Sequence, residues 1–277
     1  MYRYLRQAGI AFTIYTVVDA LRGAPAVTHA LIDLFRVRHD PAFDGDRTAA
    51  SEKAEDAIRA GLAGVTAIND DRLLRLYWGV VSAVLRTNAF APAGAHALAF
   101  KFDSSLVPNL PKPVPWREIF VYSRRVEGIH LRSGPVARGG IRWSDRRDDF
   151  RTEVLGLMKA QRVKNAVIVP TGAKGGFYPK QLPNPAEDRD AWANEGRESY
   201  KLYIRSLLSI TDNSVKDKIV HPQGVVIHDA DDPYFVVAAD KGTASFSDTA
   251  NAIAAEHDFW LGDAFASGGS KGYDHKE

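Results

Sequence analysis

The sequence contains no cysteine, and its positive and negative side chains almost cancel. Across 277 residues, 36 lysines and arginines stand against 34 aspartates and glutamates, a formal net charge of +2. Without thiols, the chain has no disulfides, thiolate metal sites or cysteine nucleophile, and we expect a reducing compartment, the cytoplasm. So small a net charge gives no general case for binding nucleic acid. Any site for an anion must therefore be local.

Long apolar runs are also missing. The most apolar stretch near the start, residues 8–18 (AGIAFTIYTVV), is well short of the roughly 20 apolar residues that a membrane span needs. It contains two threonines and a tyrosine, and it continues into Asp19 and Arg22 at helical spacing, unlike the apolar core of a secretory signal. We therefore predict a core helix here and no association with a membrane.

Residues 1–96 are predicted to form a mostly helical region. Apolar side chains recur three and four residues apart between residues 27 and 35 and again over 73–87, and an alanine-rich helix over 52–68 lies between them. Asn69-Asp70-Asp71 indicates a turn. Nothing in this region points to chemistry, so we interpret it as a packing or regulatory region.

Five prolines between residues 91 and 115 interrupt helix formation and mark a domain boundary. Beyond them strand-like and helical segments alternate. The predicted strands are 118–123, 128–132, 165–170, 224–228 and 234–238, and the predicted helices are 148–164 and 195–209. This pattern predicts an α/β fold: a layered substrate-binding domain over residues 97–262 with a largely parallel or mixed sheet. Residues 263–277 would begin a linker.

Two loops are predicted to follow neighbouring strand ends, where open α/β sheets bind their ligands. PTGAKGGF follows the strand NAVIV and carries Lys174, and ADKGT follows FVVA and carries Asp240. The glycines around Lys174 would allow a tight turn. A lysine held against apolar surroundings loses hydration, which lowers its pKa and suits it to proton transfer near neutral pH. Lys174 and Asp240 are therefore a candidate acid and base.

Simpler interpretations of both residues stay open on spacing alone. Lys174 is equally a solvated lysine in a glycine turn, and Asp240 is equally a helix cap. A phosphate loop is excluded, because Lys174 is followed by glycine where that motif needs serine or threonine.

Residues 138–174 concentrate positive charge, with nine basic against four acidic side chains. A small anion is the ligand that this surplus favours. Arg138 precedes a predicted Gly139-Gly140 turn, and Lys164 lies where helix gives way to strand, so both are candidates to bind it. A solvated helix face with ion pairs is the interpretation for Arg146, Arg147, Arg151 and Glu153.

Three segments, ARGGIRWS, MKAQRVKNAVIVPTGAKGGF and VVAADKGTASFSDTAN, resemble the substrate domain of glutamate dehydrogenases, specifically the large bacterial NAD-specific type. The resemblance is close over roughly residues 101–277, and the helical region is similar to the one that precedes this domain in those enzymes. It implies oxidative deamination of L-glutamate to 2-oxoglutarate and ammonia with NAD as cofactor, in amino-acid catabolism. It also implies a homo-oligomer for the full-length enzyme.

The resemblance also implies roles for the two loop residues. Lys174 matches the catalytic lysine that polarises the substrate and activates water. Asp240 matches the aspartate that transfers protons to and from the amino group.

The carboxylates of the substrate have implied partners too. Lys164 matches a lysine that binds one carboxylate, with Lys159 as the alternative, because the following loop is shorter than in the small enzymes. Arg138, beside Gly139 and Gly140, stands where the small enzymes have lysine and would bind the other carboxylate. Its guanidinium can make two parallel hydrogen bonds where lysine offers a point charge.

No Gly-x-Gly-x-x-Gly turn follows a predicted strand in these 277 residues. We therefore expect the chain to be a fragment whose dinucleotide-binding domain is absent, and we predict that on its own it neither binds NAD nor turns over glutamate.

Two other functions stay open. One is a noncatalytic dicarboxylate-binding or assembly module. The other is a metal-dependent hydrolase built on His228, Asp229, Asp231 and Asp232. Adjacent residues of a strand point to opposite faces, which argues against their convergence on one ion, so no metal is expected.

Overall fold

A computed structural model describes residues 1–164 and 171–270, with side chains for all of these except residues 161–164. The described α-helices are α1 (Tyr2–Gln7), α2 (Ile14–Gly23), α3 (Pro25–His39), α4 (Arg47–Leu62), α5 (Ile68–Ala83), α6 (Phe150–Lys164), α7 (Arg189–Leu208) and α8 (Ser247–Glu256). The described strands are β1 (Val84–Thr87), β2 (Leu98–Asp103), β3 (Arg117–Tyr122), β4 (Val126–Arg132), β5 (Ala137–Arg138), β6 (Gly140–Trp143), β7 (Thr171–Pro179), β8 (Asn213–Val215), β9 (Lys218–Val220), β10 (Val237–Ala239) and β11 (Ala266–Ser267).

Nine of the described strands form one mixed sheet in the order β1-β2-β3-β4-β7-β6-β10-β11, with β5 paired to β7. The first half is antiparallel from β1 to β7, and β7, β6, β10 and β11 then run parallel. Helix α6 makes the crossover that a parallel β6–β7 pair requires. The predicted α/β class is confirmed: a helical N-terminal region precedes a domain with a mixed sheet.

Two hydrophobic clusters cover opposite faces of the sheet. Successive side chains of β3 divide between them: Phe120 packs with helices α1 to α6, whereas Ile119 and Val121 pack with α7 and α8. This division follows from the two-residue period of a strand. Helices α6 and α7 therefore enclose β7 from both sides, with Val154 of α6 and Tyr203 of α7 against its glycines.

The helical region confirms one predicted pattern and corrects three. The face between residues 27 and 35 is buried in α3 as predicted. The predicted core helix over 8–18 is wrong in part, because residues 8–13 are not helical and α2 begins at Ile14, which is exposed. The predicted turn at residues 69–71 lies inside the first turn of α5, where acidic side chains face the positive helix end. The predicted helix over 73–87 ends at Ala83.

The four residues after α5 form β1 and are fully buried beside β2. Their apolar spacing fits either a helix or a buried strand, and tertiary pairing decides between them.

In the second region the strands predicted over 118–123 and 128–132 and the helices over 148–164 and 195–209 are confirmed as β3, β4, α6 and α7. Of the strand predicted over 234–238, only its end forms β10. The strand predicted over 224–228 is wrong, since these residues are irregular and His228 makes a single backbone bond to Leu85 of β1. The strand predicted over 165–170 lies outside the described residues.

None of the described helices is both long and apolar enough to cross a lipid bilayer.

Candidate functional site

Lys174 lies in the middle of a strand, not in a loop as predicted. It is the fourth residue of β7, and its side chain is 4% exposed. The glycines around it do not make a turn, because Gly172, Gly175 and Gly176 all lie in the same strand without positive φ. The prediction failed because glycine-rich sequence suits a crowded strand as well as a turn.

The glycines of this part of the sheet allow close approach. A Cβ on Gly139 would lie 1.5 Å from the Ala173 carbonyl oxygen, and one on Gly176 would lie 2.6 Å from Val154. The predicted Gly139-Gly140 turn is also wrong, because Gly140 begins β6 and neither glycine has positive φ. These glycines bring strands and helix close together around the lysine.

Asp240 directly follows β10, as predicted, and meets Lys174 across β6. The Lys174 Nζ atom lies 2.6 Å from Asp240 Oδ2. Strands β7 and β10 are not neighbours, since β6 lies between them. The residue of β6 between the two side chains is Gly140, where a Cβ would come within 3.1 Å of the Asp240 Cβ. A glycine here leaves room for Asp240 beside β6.

The cap interpretation of Asp240 does not hold. Its backbone N–H donates to Thr243 Oγ1, and α8 begins only at Ser247, with no side-chain cap from Phe246 before it. The Asp240 carboxylate is instead shared by Lys174 and Arg142.

Three residues of this site were not identified from the sequence. Arg142 of β6 donates from Nε to Asp240 Oδ2 at 2.9 Å, and from Nη1 to Glu153 Oε1 of α6 at 3.2 Å. Ser144 Oγ donates to Glu153 Oε2 at 2.7 Å. The sequence carried only one signal for Arg142, since residues 140 and 142 share a face if they lie in one strand. Its place beside Asp240 follows from the register of β6 with β10, which the structure supplies.

The predicted solvated helix face is correct only in part. Arg146 is exposed and pairs with Asp149. Arg151 is fully buried and donates to Glu118, and Glu153 belongs to the site around Lys174. Charges three and four residues apart do not reveal which face of the helix meets the sheet, so the sequence pattern could not separate these cases.

Burial and charge shift the pKa values of the pair. Burial is the main cause that lowers the pKa of Lys174, and the hydrogen bond to Asp240 partly offsets it. Burial alone would raise the pKa of Asp240, but hydrogen bonds from Arg142 and Lys174 outweigh it and hold that pKa at about 2. Asp240 is therefore a carboxylate at neutral pH, beside a lysine that releases its proton more readily than usual.

A cleft of about 470 Å³ opens beside this cluster. Arg142 and Glu153 line its inner side, and the stacked rings of Trp143 and Trp192, 4.6 Å apart, form a wall. A larger groove of about 790 Å³ lies elsewhere, along α7 and the β3–β4 turn, away from the buried pair. We place the candidate site at the smaller cleft, because Arg142 and Glu153, which line it, belong to the ionic cluster around the perturbed Lys174 and Asp240.

The predicted substrate-binding residues lie at different distances along the chain and strands from Lys174, and the side chain of one is not described. Arg138 is a partly exposed residue of β5, paired in register with Gly172, two positions before Lys174. Lys159 is an exposed residue of α6. Lys164 is the last residue of α6, and its side chain lies outside the described residues.

The residues of the hydrolase hypothesis do not converge on a metal. Asp229 binds Arg86 and Lys101, and Asp232 binds Lys101 and Arg132. The imidazole of His228 contacts the Arg38 carbonyl oxygen at 2.8 Å. The two carboxylates are neutralised by cations, so the structure does not favour the hydrolase alternative.

Within the described part of the chain, one different group of possible metal ligands lies close together: Asp212, His221 and Asp231. Asp212 already accepts from Arg86 Nη1 at 2.7 Å.

Comparison with known families agrees with the motifs in the sequence. A family model described as "Bacterial NAD-glutamate dehydrogenase, catalytic domain" matches residues 57–277. The chain belongs to the bacterial NAD-glutamate dehydrogenase family. A second model of glutamate dehydrogenases, "helical motif 3", matches residues 1–41. The resemblance to large bacterial glutamate dehydrogenases is thereby confirmed.

Relatives within the glutamate dehydrogenase family are similar along nearly the whole chain. The NAD-specific glutamate dehydrogenase of Pseudomonas aeruginosa is 53% identical over 99% of this chain. Those of Halomonas elongata and Mycobacterium tuberculosis are 54% and 51% identical, again over 99%. The chain spans only 17–18% of the length of these relatives.

Proposed function

We propose that this chain supplies the substrate-binding and proton-transfer part of an NAD-dependent glutamate dehydrogenase. The reaction is L-glutamate, NAD⁺ and water giving 2-oxoglutarate, ammonium, NADH and a proton. The observation that carries the proposal is the buried contact of 2.6 Å between Lys174 and Asp240, from two of the motifs by which the chain resembles the family.

Asp240 is the proposed proton carrier for the substrate nitrogen. With its pKa held at about 2 it is ionised at neutral pH, so it can accept a proton from the glutamate ammonium group. After water has added to the imine carbon, the same carboxyl returns the proton to the nitrogen, and ammonia leaves.

Lys174 is the proposed partner for the carbon side of the reaction. In its cationic form it hydrogen-bonds the developing carbonyl oxygen. In its neutral form, which burial favours, it removes a proton from the attacking water. Both roles need the amine at one fixed place, which the strand position of Lys174 provides.

The hydride acceptor is not assigned to residues of this chain. In the described residues no strand leads into a helix through a Gly-x-Gly-x-x-Gly turn, so the known dinucleotide fingerprint is not present there. NAD, when bound, accepts the hydride from the substrate Cα. The steps above concern only the protons that Lys174 and Asp240 move.

The substrate carboxylates have proposed partners in Arg138 and Lys164, with Lys159 as the alternative to Lys164. Gly139 and Gly140, which follow Arg138, are proposed to lie beside the bound dicarboxylate. Support for Arg138 comes from its place in β5, whose pairing with Gly172 puts it near the start of the strand that carries Lys174.

The domain boundaries, the cellular compartment and the oligomeric state are also proposed. We propose a helical region at 1–96, a substrate domain at 97–262 and the start of a linker at 263–277. Strand β1, within the first of these, pairs with β2 of the second, so the two regions share the sheet. The absence of cysteine fits a cytoplasmic enzyme, and the resemblance to glutamate dehydrogenases implies a homo-oligomer in its full-length form.

Two measurements test the function. Calorimetric titration of the chain with 2-oxoglutarate is expected to show binding that Arg138→Ala weakens. Glutamate-dependent reduction of NAD by the natural full-length polypeptide is expected to disappear with Lys174→Met. Dicarboxylate binding without turnover in the full-length polypeptide would instead support the noncatalytic module.

A further inference from the structure

Glu153 lies at the edge of the proposed catalytic pair without touching it. It is in the first turn of α6, and its side chain is 16% exposed. One carboxylate oxygen accepts from Arg142 Nη1 at 3.2 Å, and the other accepts from Ser144 Oγ at 2.7 Å. Ser144 is itself buried, and its backbone N–H donates to Phe177 of β7. The glutamate is thus held at both oxygens.

Arg142 joins this glutamate to the catalytic aspartate. Its Nε and Nη2 atoms point to the two oxygens of Asp240 at 2.9 and 3.4 Å, and Nη1 points to Glu153. A guanidinium is a rigid planar fork, so a contact at Nη1 fixes the direction of the other nitrogens. Without Glu153, only the contacts to Asp240, one of them as long as 3.4 Å, would orient Arg142.

The charges of the cluster balance only when Glu153 is counted. The charged groups that act on Lys174 come from three elements: Asp240 after β10, Arg142 from β6 and Glu153 from α6. With Lys174 they make two cations and two carboxylates. If the charge of Glu153 is lost, two cations share the single carboxylate of Asp240, at a site where Lys174 is nearly out of contact with water.

We propose that Glu153 is a positioning residue of the Lys174–Asp240 site, which together with Ser144 orients Arg142 toward Asp240 and supplies the second negative charge of the cluster. The role in turnover rests on the proposed function, whereas the orientation and charge balance stand on the contacts alone. Glu153 acts through Arg142 and does not contact the substrate.

The test separates charge from geometry. Glu153→Gln keeps an oxygen acceptor but removes the charge, and Ser144→Ala keeps the charge but frees one oxygen. Glu195→Gln is the matched control, since Glu195 is also 16% exposed and pairs with an arginine, Arg125, outside this cluster.

The first readout is the pKa of Lys174, followed by ¹³Cε NMR of lysine-labelled chain and assigned with Lys174→Arg. We expect Glu153→Gln to lower this pKa, since the Glu153 charge raises it, and we expect Glu195→Gln to leave it unchanged. An unchanged Lys174 pKa in folded Glu153→Gln protein would overturn the proposed charge balance.

The second readout is the pH profile of glutamate oxidation by the natural full-length polypeptide. We expect Glu153→Gln to move the pH profile to lower pH, as the Lys174 pKa falls, and to lower kcat. Ser144→Ala should move the profile less. Identical profiles for Glu153→Gln and Glu195→Gln would overturn the positioning role. If neither the wild type nor any variant oxidises glutamate, the proposed function fails. The NMR result still tests whether the charge of Glu153 raises the Lys174 pKa.

Discussion

Lys174 and Asp240 form an ion pair with 2.6 Å between Nζ and Oδ2, although one lies within β7, the other follows β10, and β6 separates the two strands. Gly140 of β6 adjoins this pair, and a Cβ there would lie 3.1 Å from the Asp240 Cβ. Arg142, two positions further along β6, donates to the same Oδ2 atom of Asp240 at 2.9 Å and to Oδ1 at 3.4 Å. The catalytic proposal depends on this arrangement of three strands.

Asp240→Asn is expected to lower turnover by about 10²–10⁴-fold, the usual contribution of a positioned acid or base. It removes the proton acceptor and also the negative charge that raises the Lys174 pKa. The measurement is glutamate-dependent NAD reduction by the natural full-length polypeptide. Asp217→Asn, at an exposed turn residue, is the control and should retain activity. Equal activity of the two variants would remove Asp240 from the mechanism.

Gly139→Ala is expected to destabilise the fold by at least about 1–3 kcal/mol, the usual cost of overpacking. The added Cβ would lie 1.5 Å from the backbone oxygen of Ala173, so β5 and β7 must move apart beside Lys174. Gly156→Ala is the matched control, because nothing lies within 4 Å of its Cβ in α6 and alanine favours a helix by about 1 kcal/mol. Urea unfolding should therefore give shifts of opposite sign, and a neutral Gly139→Ala would contradict the close strand approach.

Arg86→Met is expected to cost about 3–5 kcal/mol of unfolding free energy, the usual effect of leaving a buried charge without its partner. Arg86 is fully buried against Asp212, which is also fully buried. Arg59→Met removes an exposed arginine that pairs with Glu55 and Asp56, and should cost no more than about 1 kcal/mol. Chemical denaturation of both variants measures the two losses of unfolding free energy. Similar losses would show that the buried Arg86–Asp212 pair stabilises the fold no more than an exposed pair does.

Stability should fall on acidification because of the aspartates in the same buried network. Burial would raise the pKa of Asp232, but Arg132 and Lys101 outweigh it and lower that pKa. A lowered carboxyl pKa stabilises the fold above the ordinary aspartate value near pH 4, and this stability is lost as the pH falls toward the folded value. Denaturation at several pH values should show a shallower acid slope for Asp232→Asn than for the wild type, with Asp217→Asn as control. An unchanged slope would contradict the ionic network.

The sequence predicted that Lys174 and Asp240 lie together more successfully than it predicted their surroundings. Lys174 and Asp240 were found because each lies near the end of an apolar run, and the structure does bring them together. The loop predicted around Lys174 was wrong, because glycine marks a turn and a crowded strand alike. Glu153 was missed because periodicity along α6 says which charges share a face and not which face meets β6. Whether a glycine lies in a turn or a strand, and which helix face meets the sheet, depend on tertiary packing. Local sequence patterns do not show that packing residue by residue.

Lys174→Met separates substrate binding from turnover at the proposed catalytic lysine. We expect this variant still to bind 2-oxoglutarate in calorimetry, while glutamate-dependent NAD reduction by the natural full-length polypeptide falls by about 10²–10⁴-fold. Wild-type turnover in the Lys174→Met variant would rule out Lys174 as the catalytic lysine.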